Sequence, residues 1–138
     1  MKTAVVYFTL GGSTRAFARA EADARGADLF EAVPAKKYNP FTAFVRGCPA
    51  ALKQKSVPLE AAPDLKSYER IVLMAPVWAG FPAPPFNAMI ALLPRGAEVE
   101  ALLVSSSGDS SKSKDKVRAL IEKTGCKVVA QRDIRPHK

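Results

Sequence analysis

Apolar residues along this chain fall into short unbroken runs, separated by stretches in which they recur at helical spacing. The first run, Ala4-Val5-Val6-Tyr7-Phe8, is rich in β-branched and aromatic residues and predicts a strand covered on both faces. Ile71 to Val77 and Ala97 to Val104 have the same character. Residues 27–33 form a shorter run with polar positions, which suits a sheet edge, and Pro34 ends it. Cys126 to Ile134 supplies the last strand. Between the runs lie four helical patterns: Phe17, Ala20 and Ala24; Phe41, Phe44, Val45 and Cys48; Phe86, Met89, Ile90 and Leu93; Val117, Leu120 and Ile121. Asn39-Pro40 is a good start for the second, and Gly125 a good stop for the fourth. Residues 56–66 carry prolines and no period, so they read as a connecting loop.

Strands alternating with helices predict βαβ units and an α/β, doubly wound, mostly parallel sheet of five strands. Right-handed crossovers then place helices on both faces, giving three αβα layers. The chain of 138 residues shows no internal repeat, which fits a single domain over 1–138.

Composition narrows the chemistry. No apolar run approaches the roughly 20 residues of a membrane span, and Met1-Lys2-Thr3 leads straight into the first strand without a signal-peptide pattern. The expected location is cytoplasmic. Cys48 falls on an apolar stripe and Cys126 opens an apolar run, so both read as core thiols. His137 is the single histidine, which argues against a histidine-based metal site or a Ser–His–Asp triad. The net charge of +8 is uneven. Residues 36–55 hold Lys36, Lys37, Arg46, Lys53 and Lys55 with no acid, and nine basic residues face three acidic ones between Lys112 and Lys138. Such charge attracts anionic partners of several kinds. No nucleic-acid module pattern appears, so no nucleic-acid partner is expected, and no membrane partner is expected either.

Three loops leave the carboxyl ends of apolar strands, where a doubly wound sheet binds ligands. The first, Thr9-Leu10-Gly11-Gly12-Ser13-Thr14-Arg15, enters a helix whose unpaired N–H groups attract anions. Its glycines and hydroxyls suit a single phosphate group, although helix capping by Ser13 and a plain turn explain them equally well. No Gly-Lys-Ser/Thr follows, and the three-glycine dinucleotide fingerprint is absent. The second loop, from Pro76-Val77-Trp78-Ala79-Gly80 to Pro85, brings an indole beside a glycine and rigidifying prolines. The third, residues 105–111, offers hydroxyls and Gly108. A phosphate site next to a flat aromatic face suits flavin mononucleotide (FMN).

With these motifs in view, the chain resembles a small, short-chain flavodoxin over nearly its whole length. Thr9 to Thr14 stands at the position of that family's phosphate loop, and Ala75 to Pro85 at the loop that packs on the isoalloxazine ring. The resemblance implies strand order 2-1-3-4-5 with FMN at the switch point. It implies that Thr9, Ser13 and Thr14, with N–H groups from Gly11 to Arg15, bind phosphate, and that Trp78 stacks on the ring. The Ala79–Gly80 peptide would face the flavin N5 edge, and Ser106, Ser107 and Gly108 would line the pyrimidine side. Leu10, Pro76 and Val77 complete the expected contacts. Departures from the pattern are Gly11, where the family usually has a hydroxyl, a third loop without an aromatic residue, and a basic rather than acidic chain. Phe81 is the available substitute for the missing aromatic.

The expected function is a low-potential electron carrier acting between a reductase and an acceptor, with acidic redox partner proteins and a monomeric or weakly dimeric state. The alternatives are an NAD(P)H-dependent quinone or flavin reductase on the same cofactor, and a flavin-free binding module that keeps the scaffold.

Overall fold

The computed structural model describes residues 2–105 and 110–135. Five parallel strands form the central sheet: β1 (Thr3–Tyr7), β2 (Asp28–Glu31), β3 (Arg70–Trp78), β4 (Glu98–Val104) and β5 (Lys127–Ile134). Their order is β2-β1-β3-β4-β5, so the strand order reverses beside β1 and β3, as the flavodoxin resemblance implies. The apolar runs make the centre of the sheet because they are covered twice. Val5, Val72, Met74 and Leu102 pack beneath Ala18 and Ala22 on one face, and Val6, Leu73 and Leu103 join the larger cluster with Phe86 and Met89 on the other.

The helices are α1 (Ser13–Arg25), α2 (residues 40–52), α3 (Pro84–Ile90) and α4 (Lys114–Glu122). Three details differ from the sequence reading. Residues 56–66 are not all loop: Leu59–Ala61 pairs antiparallel with Val33–Pro34 as a small separate ribbon, so the second strand stops at Glu31 instead of running to Val33, and Pro34 belongs to the ribbon. β3 runs one residue further, through Trp78, and turns back as the short strand Phe81–Pro82, so the expected loop begins as a hairpin.

The third difference is in α2. Its middle, Ala43–Gly47, is a π-helical turn between an opening turn at Pro40–Thr42 and a closing one at Cys48–Leu52. The face turned inward is Ala43, Gly47 and Ala51, while Phe41, Phe44, Val45 and Leu52 are exposed and Cys48 is half-buried. Hydrophobic spacing selected the large residues as the core stripe, and the packing selected the small ones. A Cβ built on Gly47 would lie 2.4 Å from the Trp78 ring, so the helix approaches this indole too closely for any side chain there. That contact decides which face of α2 is buried.

Candidate functional site

β1 ends at Tyr7, and the chain reverses into α1 through Gly12, whose φ of 97° lies in the left-handed region that glycine adopts freely. The Gly12 N–H donates to Thr9 Oγ1 at 2.9 Å, tying the loop to itself. With Gly12 as its N-cap, α1 has no side-chain cap bond, and a first turn without one offers N–H donors to an anion. Thr14, on that first turn, is only 2% exposed. It borders a cleft of about 280 Å³ lined by Thr9, Leu10, Gly11, Ser13, Thr14, Pro76, Val77, Trp78 and Val104. The loop's hydroxyls and backbone form one side. The apolar ends of β3 and β4 form the other. Among the described residues the lining holds no carboxylate.

The remaining residues singled out from the sequence lie beside this cleft or elsewhere. Gly12 shapes the loop from behind. The Arg15 guanidinium turns away: its Nε donates to the Tyr7 hydroxyl at 3.3 Å and its Nη2 to Glu31 at 3.1 Å, leaving its backbone N–H as the group nearest the loop. Those two hydrogen bonds, Tyr7 first and then Glu31, raise the Arg15 pKa. Ala79 and Gly80 form the two-residue hairpin turn, with φ of 57° and 85°. Positive φ at both positions matches the twist of the strands they join, and for Ala79 it costs about 1 kcal/mol. Ser106, Ser107 and Gly108 lie outside the described residues.

Trp78 lines the cleft, yet its indole is largely enclosed, 8% exposed. Phe8 meets it edge-on at 5.7 Å and Tyr38 at 5.1 Å between ring centres, and Gly47 closes on its six-membered ring. The Arg46 guanidinium lies 5.1 Å from the Tyr38 ring centre. The indole is therefore a held wall of the cleft.

Sequence reasoning missed the residues that hold the site in place. Ser113 is fully buried and donates from Oγ to the Gly80 carbonyl at 2.8 Å, fixing the hairpin turn from the segment before α4. The Lys112 stem packs over Gly80, where a Cβ would lie 2.6 Å from its Cε. The Lys112 and Lys116 ammonium groups sit 5.7 and 5.5 Å from the Phe81 ring centre. Nothing in the sequence pattern singled out Ser113 or Tyr38, because each acts through a partner distant in the chain. Val104 was legible only as the last residue of its strand.

No family model matches the chain, and neither does any curated protein. Solved structures do. A protein of Bacteroides uniformis assigned as a flavoprotein superposes with a TM-score of 0.81 at 22% identity, covering 99% of this chain and 92% of that one. A flavoprotein of Lactobacillus acidophilus, crystallised in complex with FMN, gives 0.77 at 18% identity over 96% of this chain and 92% of its own. A flavodoxin from the domain Archaea gives 0.60 at 17% identity over 100% and 87%. With the strand order and the αβα layering, these likenesses establish the architecture: the chain has the flavodoxin-like fold.

Proposed function

We propose that the cleft binds FMN and that the protein carries electrons between partner proteins. The observation that carries this reading is the meeting of the Thr9–Thr14 loop with Pro76–Trp78 and Val104 in one cleft at the carboxyl ends of β1, β3 and β4. The lining suits the group. Hydroxyls of Thr9, Ser13 and Thr14 and the first-turn N–H groups of α1 suit a phosphate, and no carboxylate lines the cleft among the described residues. Pro76, Val77 and the Trp78 edge suit an aromatic ring system, and the archaeal and Lactobacillus flavoproteins share the fold that would present it.

When bound, the flavin supplies one- and two-electron chemistry, while the protein sets potential and access. Ser113 holds the Gly80 carbonyl, and the Lys112 stem covers the same turn. The Ala79–Gly80 peptide is thereby held at the edge that the flavodoxin resemblance assigns to N5. Tyr38, Phe8 and Gly47 keep the indole in one position.

The partner we propose is an acidic protein surface meeting Lys112, Lys114 and Lys116, two of which stand over Phe81 beside this turn. The test uses FMN-loaded protein, chemically reduced without oxygen and mixed with a one-electron acceptor, and separately with NAD(P)H and a quinone. A carrier is reoxidised by the acceptor and does not sustain NAD(P)H oxidation. Sustained NAD(P)H oxidation would assign the reductase instead, and protein that retains no flavin would assign the binding module.

A further inference from the structure

The turned-out face of α2 is unlike the rest of the surface. Phe41 is 73% exposed and Phe44 76%, with Val45 and Leu52 about half exposed beside them. Isolated apolar residues are ordinary on a protein surface, but two nearly bare phenylalanines on one short helix together with Val45 and Leu52 form a patch. Along the chain Lys36 and Lys37 precede the helix, Arg46 lies within it, and Lys53 and Lys55 follow it. From Ala32 to Leu59 the sequence contains no acidic residue. Lys37 bonds Glu60 at 2.7 Å and Arg46 lies over Tyr38, while Lys36, Lys53 and Lys55 are exposed.

We infer that this face docks onto an anionic lipid bilayer surface, with Phe41 and Phe44 inserted at the headgroup boundary and the surrounding lysines on lipid phosphates. Charge complementarity selects the occupant. A second copy would bring the same cations against themselves on a chain of net charge +8. Protein interfaces favour Arg and are depleted in Lys, whereas this rim is mostly lysine. A basic, aromatic amphipathic helix lying in the interface plane is a recurrent way of binding anionic membranes. Among the described residues no helix is long and apolar enough to cross a membrane, so the contact is with the surface. Charge alone gave no reason to expect a lipid partner; the exposed phenylalanines supply it. The inference stands on this face and is independent of flavin binding.

The test is sedimentation of the full chain with vesicles of phosphatidylcholine alone, and with roughly a third phosphatidylglycerol in about 0.1 M salt. The protein is expected to sediment with the anionic vesicles and to stay in solution with the neutral ones. The double substitution Phe41→Ser, Phe44→Ser changes no charge and alters exposed positions. It is expected to lower partitioning roughly tenfold while leaving the circular dichroism unchanged. Lys53→Glu with Lys55→Glu should weaken binding in the same direction. If the wild type ignores anionic vesicles, the lipid assignment is overturned in favour of an acidic protein surface. If the serine variant sediments like the wild type, net charge alone is acting and the docking face is overturned.

Discussion

Thr14 carries the most specific expectation at the scale of single residues. Its hydroxyl is buried on the first turn of α1 at the border of the cleft. Thr14→Ala removes one hydrogen bond to a charged group, so FMN affinity measured by calorimetry should fall by about 1.5–3 kcal/mol. Unchanged affinity would take the phosphate away from this loop. Gly47 gives a second expectation, independent of ligand. A Cβ there would overlap the Trp78 ring, so Gly47→Ala should destabilise the fold by about 1–3 kcal/mol. Trp78 is the single tryptophan, so its emission reports directly on whether the indole moves. An unchanged spectrum and stability would mean that α2 backs away without cost. The 9–14 loop and Trp78 were legible in the sequence as neighbours of one cleft because each lies at the carboxyl end of an apolar strand. Tyr38, Gly47 and Ser113 were not, since each matters through a contact with a residue more than thirty positions away.

At the scale of elements, periodicity located the sheet strands and the helices, alternation implied a parallel sheet, and the flavodoxin resemblance implied the strand order. It failed for the face of α2. Spacing reports which residues share a face, not which face a neighbour can admit, and Trp78 admits only small residues. A stripe of Ala43, Gly47 and Ala51 is present in the sequence, but nothing local ranks it above Phe41 and Phe44. Elsewhere the elements are clasped at the end opposite the cleft. Glu100 on β4 is buried and accepts from Arg25 at the end of α1 at 2.7 and 2.9 Å, and from Arg70 at the start of β3 at 2.8 Å. Arg70 also binds Glu98. The Arg25 hydrogen bond, with its charge and that of Arg70, holds the Glu100 carboxyl below the usual carboxylate range against the opposing effect of burial. Because the folded form holds its proton less tightly than the unfolded chain, this stabilisation is complete above the ordinary carboxylate range. It is lost as pH falls through the lowered folded value. Glu100→Gln should therefore cost about 2 kcal/mol near neutral pH and flatten the acid limb of the stability curve. Urea unfolding across pH checks both, and FMN affinity of the folded variant should be unaffected. An unaltered acid limb would place the acid sensitivity in other carboxylates.

At the scale of the whole molecule, the charge of +8 sets how the protein meets others. Electron transfer to an acidic acceptor should slow as salt rises, since screening acts over about 10 Å at 0.1 M. Reversing Lys112, Lys114 and Lys116 to glutamate should abolish that dependence in stopped-flow measurements; a wild-type salt profile would place the docking elsewhere. The architecture itself was legible because a doubly wound sheet is written in its runs and alternation. Of the three loop ends read as a site, the first two meet in the cleft, joined by Val104, and Ser106, Ser107 and Gly108 lie outside the described residues. What the sequence left out is the support around the cleft, which depends on long-range packing. The account rests on one claim, that a phosphate-bearing flavin occupies this cleft. Calorimetric titration of the flavin-stripped protein with FMN and with riboflavin tests it most directly. FMN is expected to bind, and riboflavin, lacking the phosphate, to bind at least about tenfold more weakly, the loss of one or more charge-assisted hydrogen bonds. Equal affinity for the two, or no heat with either, would contradict it.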